Sequence, residues 1–219
     1  LLDEVADDDL SAAVNPATGG LIISRLGELS LVRRRNTLRR FYFLKGSVPP
    51  SYNFLISVFD EVAEAGSDGV PELRWEGGIA VRFRGELFNI REYPEVPRDF
   101  TAEKGFRKTV QLPDCTLSIT DLKDNVPPDA LSARAPHQGE KVTVRFGLPG
   151  SLVLRPSGRA HSRNLKKIWG ECSVPVWRRR YIPVVFYNEI PAMLAGVCVM
   201  SGFEPAEDEA GRLFSYFTE

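Results

Sequence analysis

The sequence predicts an α+β fold: a small helical domain with a β-meander, followed by a mixed α/β C-terminal domain. Three observations predict it. Apolar residues recur at helical spacing up to about residue 66 and then switch to alternation. Glycine and proline pairs punctuate the alternating stretches as turns. The second half carries one basic helix between short alternating runs, the segregated pattern of an α+β unit.

The elements follow in order. The acidic opening, Asp3-Glu4 and Asp7-Asp8-Asp9, leads into a loop at Asn15-Pro16 and Gly19-Gly20. Ser30 is a candidate N-cap for a helix that runs to about Lys45 and is ended by Gly46. Pro49-Pro50-Ser51 opens a second helix, with Phe54, Leu55, Val58, Phe59 and Val62 on one face, stopping near Gly66. Leu73, Trp75, Ile79, Val81 and Phe83 then alternate, as do Phe88 and Ile90. Turns at Glu76-Gly77-Gly78 and Arg84-Gly85-Glu86 separate them. This predicts an antiparallel meander packed on the two helices. Pro94 and Pro97 mark a linker that divides domain 1–95 from domain 96–219.

In the second domain, strands are expected at Thr109–Leu112 and Thr116–Ile119, with a Pro- and Asp-rich loop from Asp124 to Asp129. Lys141 to Phe146 alternates, with Val142, Val144 and Phe146 on one face. Asn164 can cap a helix whose buried stripe is Leu165, Ile168, Trp169 and Cys172, leaving Lys166 and Lys167 outside it. Val174-Pro175-Val176-Trp177 begins a short turn or helix. Pro183–Tyr187 and Leu194–Met200 read as two buried strands joined through a turn at Asn188-Glu189. The acidic end from Glu204 to Glu219 is expected to fray.

Composition bounds the function. The 219 residues are 43% hydrophobic and 26% charged, enough for two modest cores. No apolar run approaches the roughly 20 residues of a membrane helix, so no membrane partner is expected. The opening residues carry neither an initiator methionine nor a signal-peptide pattern. The chain therefore reads as a piece of a longer cytoplasmic protein. Cys115, Cys172 and Cys198 lack metal-ligand spacing and read as buried free thiols. A Cys172–His161 nucleophile pair is the sharper alternative, but no third orienting group is evident. There is no GxxxxGK[ST] loop, no SGGxDS pyrophosphatase loop, no Rossmann fingerprint and no zinc-finger spacing. No catalytic, metal or cofactor site is therefore expected in this chain.

Charge is where the sequence is most specific. The chain has net charge −1, yet Arg155, Arg159, Arg163, Lys166, Lys167, Arg178, Arg179 and Arg180 fall within 26 positions against one acid, Glu171. Such a cluster in a near-neutral chain suits a polyanion, nucleic acid above all. Ser157-Gly158 permits a tight turn, the arginines can grip phosphate in bidentate fashion, and the helix entrance at Asn164 should offer unpaired N–H groups. The plainer reading is a solvated basic surface with Arg159 or Arg163 paired to acids. A second cluster, Arg33, Arg34, Arg35, Arg39 and Arg40, is either a set of stems lying over the core or another phosphate-facing stripe. Arg35 and Arg39 are its candidates. Of the tryptophans, Trp75, Trp169 and Trp177 could stack bases. Trp169 fits the core better, and Trp177 is expected half-exposed.

The run from Arg155 through Arg159, then Asn164-Leu-Lys-Lys-Ile-Trp169, Val174-Pro-Val-Trp-Arg178, Ile182-Pro183 and Ala195-Gly-Val197 resembles the C-terminal domain of the tRNA(Ile)-lysidine synthetase (TilS) family. Leu1-Leu-Asp-Glu4, Arg39-Arg-Phe41 and the helix from Pro50 to Ala63 are similar to that family's middle, substrate-recognition domain. The resemblance implies a ligase that uses ATP with magnesium to adenylate the wobble cytidine of the CAU-anticodon tRNA(Ile) and then attaches lysine. Those steps belong to an N-terminal pyrophosphatase-loop domain that this chain lacks. For this piece the resemblance implies tRNA recognition, with Arg155, Arg159, Arg163, Asn164, Lys166 and Lys167 on the acceptor-stem side and Arg178, Arg179 and Arg180 next. A homodimer is left open. The competing class is a non-catalytic protein-interaction module whose arginines are merely solvated.

Overall fold

A computed structural model describes residues 2–46, 48–66, 71–91, 95–102, 108–112, 115–121, 131–206 and 211–218. Residues 102, 108–112, 115–121 and 211–218 are described for their backbone alone. Pro94, the loop Asp124–Asp129 and the Cys115 side chain lie outside this set. The fold is α+β, and the chain divides into two units, Leu1–Glu92 and Tyr93–Glu219.

The first unit opens on a helix that sequence periodicity did not reveal, α1 (Leu2–Ala13). Its buried stripe is carried by Ala6, Asp9 and Ala13, while Leu2 and Val5 face outward, so it gives little hydrophobic signal. Its acids are spent on α3 (Leu31–Gly46). Asp9, only 6% exposed, takes Arg33 through Nε at 3.0 Å; Arg40 Nε reaches Asp7 at 2.7 Å; and Arg39 pairs with Asp3. Ser30 caps α3 as predicted, its carbonyl taking the Arg34 N–H at 2.9 Å. Between them lie β1 (Leu21–Ile22) and the short α2 (Ile23–Gly27). Arg34 lies over the Phe59 ring at 4.2 Å and donates to the Leu26 and Gly27 carbonyls, a stem over the core.

Ser51 caps α4 (Tyr52–Ser57), which runs on as a π-helical segment, Val58–Ala63. There the Glu64 N–H reaches back to Phe59 O at 3.0 Å. Val58, Phe59, Val62 and Ala63 of this segment all turn inward. Arg82 closes this helix end by donating to the Ala63 and Gly66 carbonyls at 3.0 and 2.6 Å.

The meander is β2 (Glu72–Trp75), β3 (Gly78–Phe83) and β4 (Glu86–Ile90), with β1 added beyond β4. Trp75 pairs with Gly78 across a two-residue turn, so Leu73 and Trp75 share a face with Ala80 and Leu87 and pack on the helices. Ile79, Val81 and Phe83 lie on the opposite face, because a two-residue turn preserves pairing, not sequence parity. Trp75 stacks on Phe54 at 4.7 Å and donates to Asn89 Oδ1 at 2.8 Å.

The second unit is built on two antiparallel sheets and a small ribbon. One sheet has β6 (Lys108–Leu112), β7 (Cys115–Asp121), β8 (Ser132–Arg134) and β15 (Gly211–Thr218) in the order β6-β7-β15-β8. The strands expected at 109–112 and 116–119 are thus present. The chain end does not fray: β15 pairs with both β7 and β8.

The other sheet runs β14-β13-β12-β9-β5, from β5 (Phe100–Ala102), β9 (Val142–Arg145), β12 (Val184–Tyr187), β13 (Ile190–Leu194) and β14 (Cys198–Val199). Asn188 and Glu189 both take positive φ, 47° and 69°, the mirror-image hairpin turn that strand twist favours. The strand after that turn is Ile190–Leu194, so the single strand expected at Leu194–Met200 is corrected. The chain bends at Gly196 (φ 69°) and returns as β14. Every residue of β12 is buried because both sheet faces are covered. Val185 and Tyr187 join one core, and Val184 and Phe186 join a second that also takes Leu165, Ile168 and Trp169.

Candidate nucleic-acid interface

The ribbon β10 (Val153–Leu154) and β11 (Arg163–Asn164) frames the basic loop. Pro156 bridges to Met200 and the Ser157 N–H donates to Val199 O, so the root of the loop is tied to the sheet. Its tip is a turn: the Arg159 N–H returns to Pro156 O at 3.2 Å, and Gly158 takes φ 71° with open space around it. A side chain there would meet a backbone conformation it rarely adopts. The turn presents Arg155 and Arg159 to solvent, with Arg155 Nε 3.4 Å from Arg159 O.

β11 leads into α5 (Leu165–Glu171), capped by Asn164 Oδ1, which accepts the Lys167 N–H at 2.9 Å. Leu165, Ile168 and Trp169 are buried, and Lys166 and Lys167 are exposed, as the stripe predicts. The unpaired N–H groups expected at the helix entrance are not there. Leu165 N–H donates to Leu152 O at 2.8 Å, and Lys166 N–H to Gly150 O at 2.9 Å. With Asn164 holding Lys167, the entrance is closed by the protein itself. Any grip on an anion must come from side chains.

Two cation groups result. In the first, Glu171 is shared: Arg159 Nη2 lies 3.7 Å and Arg163 Nε 3.2 Å from its carboxylate oxygens. In the second, Lys166, Arg179 and Arg180 line an open cleft of about 280 Å³. Gly147, Leu148, Gly150, Trp169 and Val176 complete its lining. Arg179 comes from α6 (Val176–Arg179), where Nε donates to Val174 O at 3.0 Å and partial burial lowers its pKa. Lys166, Lys167 and Arg180 have no acidic partner among the described residues. Arg178, on the same helix, is half-buried. The glycines of this lining went unnoticed in the sequence; the cue was Gly147-Leu-Pro-Gly150, which brings backbone close to Lys166.

Several side chains sit elsewhere than expected. Trp177 is 7% exposed, not half-exposed, and Trp75 is packed against Phe54, so neither offers a free face for a base. Cys172 is exposed and Cys198 half-buried, so neither is the enclosed thiol predicted. Burial, reinforced by Glu171, raises the Cys172 pKa, and burial pushes Cys198 up to about 12. Neither shift favours the thiolate that a nucleophilic cysteine needs. In the first unit, Arg39 is engaged by Asp3, and Arg35 lies over the Tyr52 ring at 4.8 Å while donating to its hydroxyl at 2.6 Å. Arg33 and Arg40 are likewise paired, so the second arginine cluster is mainly a helix–helix seam. Among the described residues, no three His, Cys, Asp or Glu side chains converge on a metal position, and no helix is long and apolar enough to cross a membrane.

Comparison with known proteins agrees in both units. Residues 21–88 match the TilS substrate binding domain, and residues 142–215 match the TilS substrate C-terminal domain. A tRNA(Ile)-lysidine synthase of Pectobacterium atrosepticum is 35% identical over 189 residues, 86% of this chain and 41% of that protein. One of Photorhabdus laumondii is 32% identical over 207 residues, 94% of this chain and 45% of that protein. One of Salmonella typhimurium is 36% identical over 211 residues, 96% of this chain and 47% of that protein. The chain spans about half the length of the curated relatives it matches.

Proposed function

The chain belongs to the tRNA(Ile)-lysidine synthase family, and we propose that it is the tRNA-holding part of such a ligase, its second unit gripping the acceptor stem. The whole cytoplasmic enzyme would join lysine to the wobble cytidine of the CAU-anticodon tRNA(Ile). This chain would supply no reacting group. ATP with magnesium does not fit the described residues, since no group of acids converges and the α5 entrance is already hydrogen-bonded. In this proposal ATP, magnesium and lysine would be handled outside this chain.

One observation carries the reading. Eight cations face a single acid from Arg155 to Arg180, and Lys166, Arg179 and Arg180 meet at one open cleft. Duplex RNA is gripped mainly through phosphates and 2′-hydroxyls, which this arrangement of side-chain donors suits. Such contacts position the stem; they do not read its sequence.

The test is a salt titration of the chain binding the CAU-anticodon tRNA(Ile), beside an elongator methionine tRNA. With about five phosphates engaged, log Kobs should fall with log[salt] at a slope of about −4 to −5. Preference for the isoleucine tRNA would put part of the discrimination in this chain. No binding even at low salt defeats the reading in favour of the interaction module. Lys166→Ala with Lys167→Ala should weaken binding by about 1–2 kcal/mol and flatten the slope by about 2, with stability unchanged within about 0.5 kcal/mol. Unfolding of that variant would instead make both lysines structural.

A further inference from the structure

Glu171 is the one acid in the basic stretch, and its position is unusual. It is the last residue of α5, where a carboxylate opposes the helix's partial negative end. Local helix chemistry therefore gives no reason for it. Its two oxygens are divided between two guanidinium groups from the preceding loop, Oε2 to Arg159 at 3.7 Å and Oε1 to Arg163 at 3.2 Å. Arg163 Nε is shielded from solvent and makes no hydrogen bond among the described residues, so its pairing with Glu171 is one of charge and enclosure. Arg159 is tethered as well through its turn to Pro156. Both guanidinium-bearing side chains remain partly open to solvent, 54% and 30%.

We infer that Glu171 is a specificity-determining positioning residue. It fixes the spacing of Arg159 and Arg163 so that they engage the regular phosphate track of an A-form duplex in preference to a flexible single strand. The inference rests on the RNA-binding reading above. A free arginine follows whichever phosphate approaches it. Two arginines sharing one carboxylate present their donors at a set separation. A duplex already has an ordered backbone, whereas a single strand must order its own to match, which costs affinity. The carboxylate also subtracts charge, which lowers attraction for every polyanion and selects for partners that meet both arginines at once.

The experiment compares the unmodified chain with Glu171→Gln, using an RNA duplex and oligouridine of matched phosphate number over a salt series. Folding is checked by thermal melting. Oligouridine binding should tighten about fivefold and its salt slope steepen by about 0.7, one further phosphate contact on a single strand. Duplex binding should change less than about twofold, so the duplex-to-single-strand ratio falls roughly fivefold. A parallel rise for both RNAs overturns the inference, since Glu171 would then only remove charge; unchanged binding overturns it as well. If Glu171→Gln does not fold, Arg159→Gln takes its place and should weaken duplex binding more than oligouridine binding; equal losses overturn the inference. Failure of the unmodified chain to bind either RNA defeats the RNA-binding reading and the inference together. Binding by the unmodified chain with an unaltered ratio in the variant defeats the inference alone.

Discussion

Arg134 and Glu140 form a two-pronged pair, with guanidinium–carboxylate distances of 2.7 and 2.8 Å and little exposure on either side. Glu140 also accepts the His137 N–H at 2.7 Å, and the Tyr187 hydroxyl donates to Arg134 O. The Arg134 hydrogen bonds, foremost, hold the Glu140 carboxyl down to about 2. Because the folded value is depressed, the stabilisation is complete above the ordinary carboxylate value of 4.5 and is lost as pH falls toward 2. Glu140→Gln should cost about 1.5–3 kcal/mol at neutral pH in urea denaturation, and the gap to the unmodified chain should close over that acid window. A gap that stays constant down to pH 2 would mean the charge is not what is lost. Tyr42 offers the opposite case. Its ring is wedged edge-on against Phe41, Phe54 and Trp75, and its enclosed hydroxyl has no hydrogen-bond partner among the described residues. Burial raises its pKa. Tyr42→Phe should raise stability by about 1 kcal/mol; a lower urea midpoint would instead place a bound water on that hydroxyl.

The elements that could be read from sequence are those fixed by near neighbours. α5 needed only Asn164 as cap and Leu165, Ile168 and Trp169 at spacings of three and four, and the structure has both. Its stripe failed only at Cys172, which falls one residue past the last helical turn and so turns outward. Trp169 joins the core under the five-stranded sheet, so Trp169→Ala should cost about 3–5 kcal/mol by chemical denaturation; an unchanged midpoint would show that the indole is not packed there. α1 was illegible for a physical reason. Its inward side chains are two alanines and an aspartate, and its acids find their partners some thirty residues later on α3. The meander's strands were legible while their faces were not, because the Glu76-Gly77 turn decides which parity looks inward.

Across the whole chain, the cluster of cations was legible and its internal arrangement was not. Charge is a property of composition, but the closing of the α5 entrance by Gly150 and Leu152 and the sharing of Glu171 depend on how loop and ribbon meet the helix. The arginine cluster of α3 shows the same limit, since a seam and a phosphate-facing stripe look alike until the opposing helix is in place. A different kind of consequence follows from the central place of β15 in its sheet. Arg212 faces Asp121 and Thr218 faces Cys115, so the two strands are 91 to 103 positions apart. At synthesis rates of roughly 5–20 residues per second, β7 must wait about 5–20 seconds for the strand that covers its second edge. During that interval it has β6 on one side and an open row of peptide groups on the other. The helical unit, Leu1–Glu92, can mature meanwhile. In the cell, the vulnerable moment of this protein is therefore on the ribosome, where its second unit is most in need of a holding chaperone.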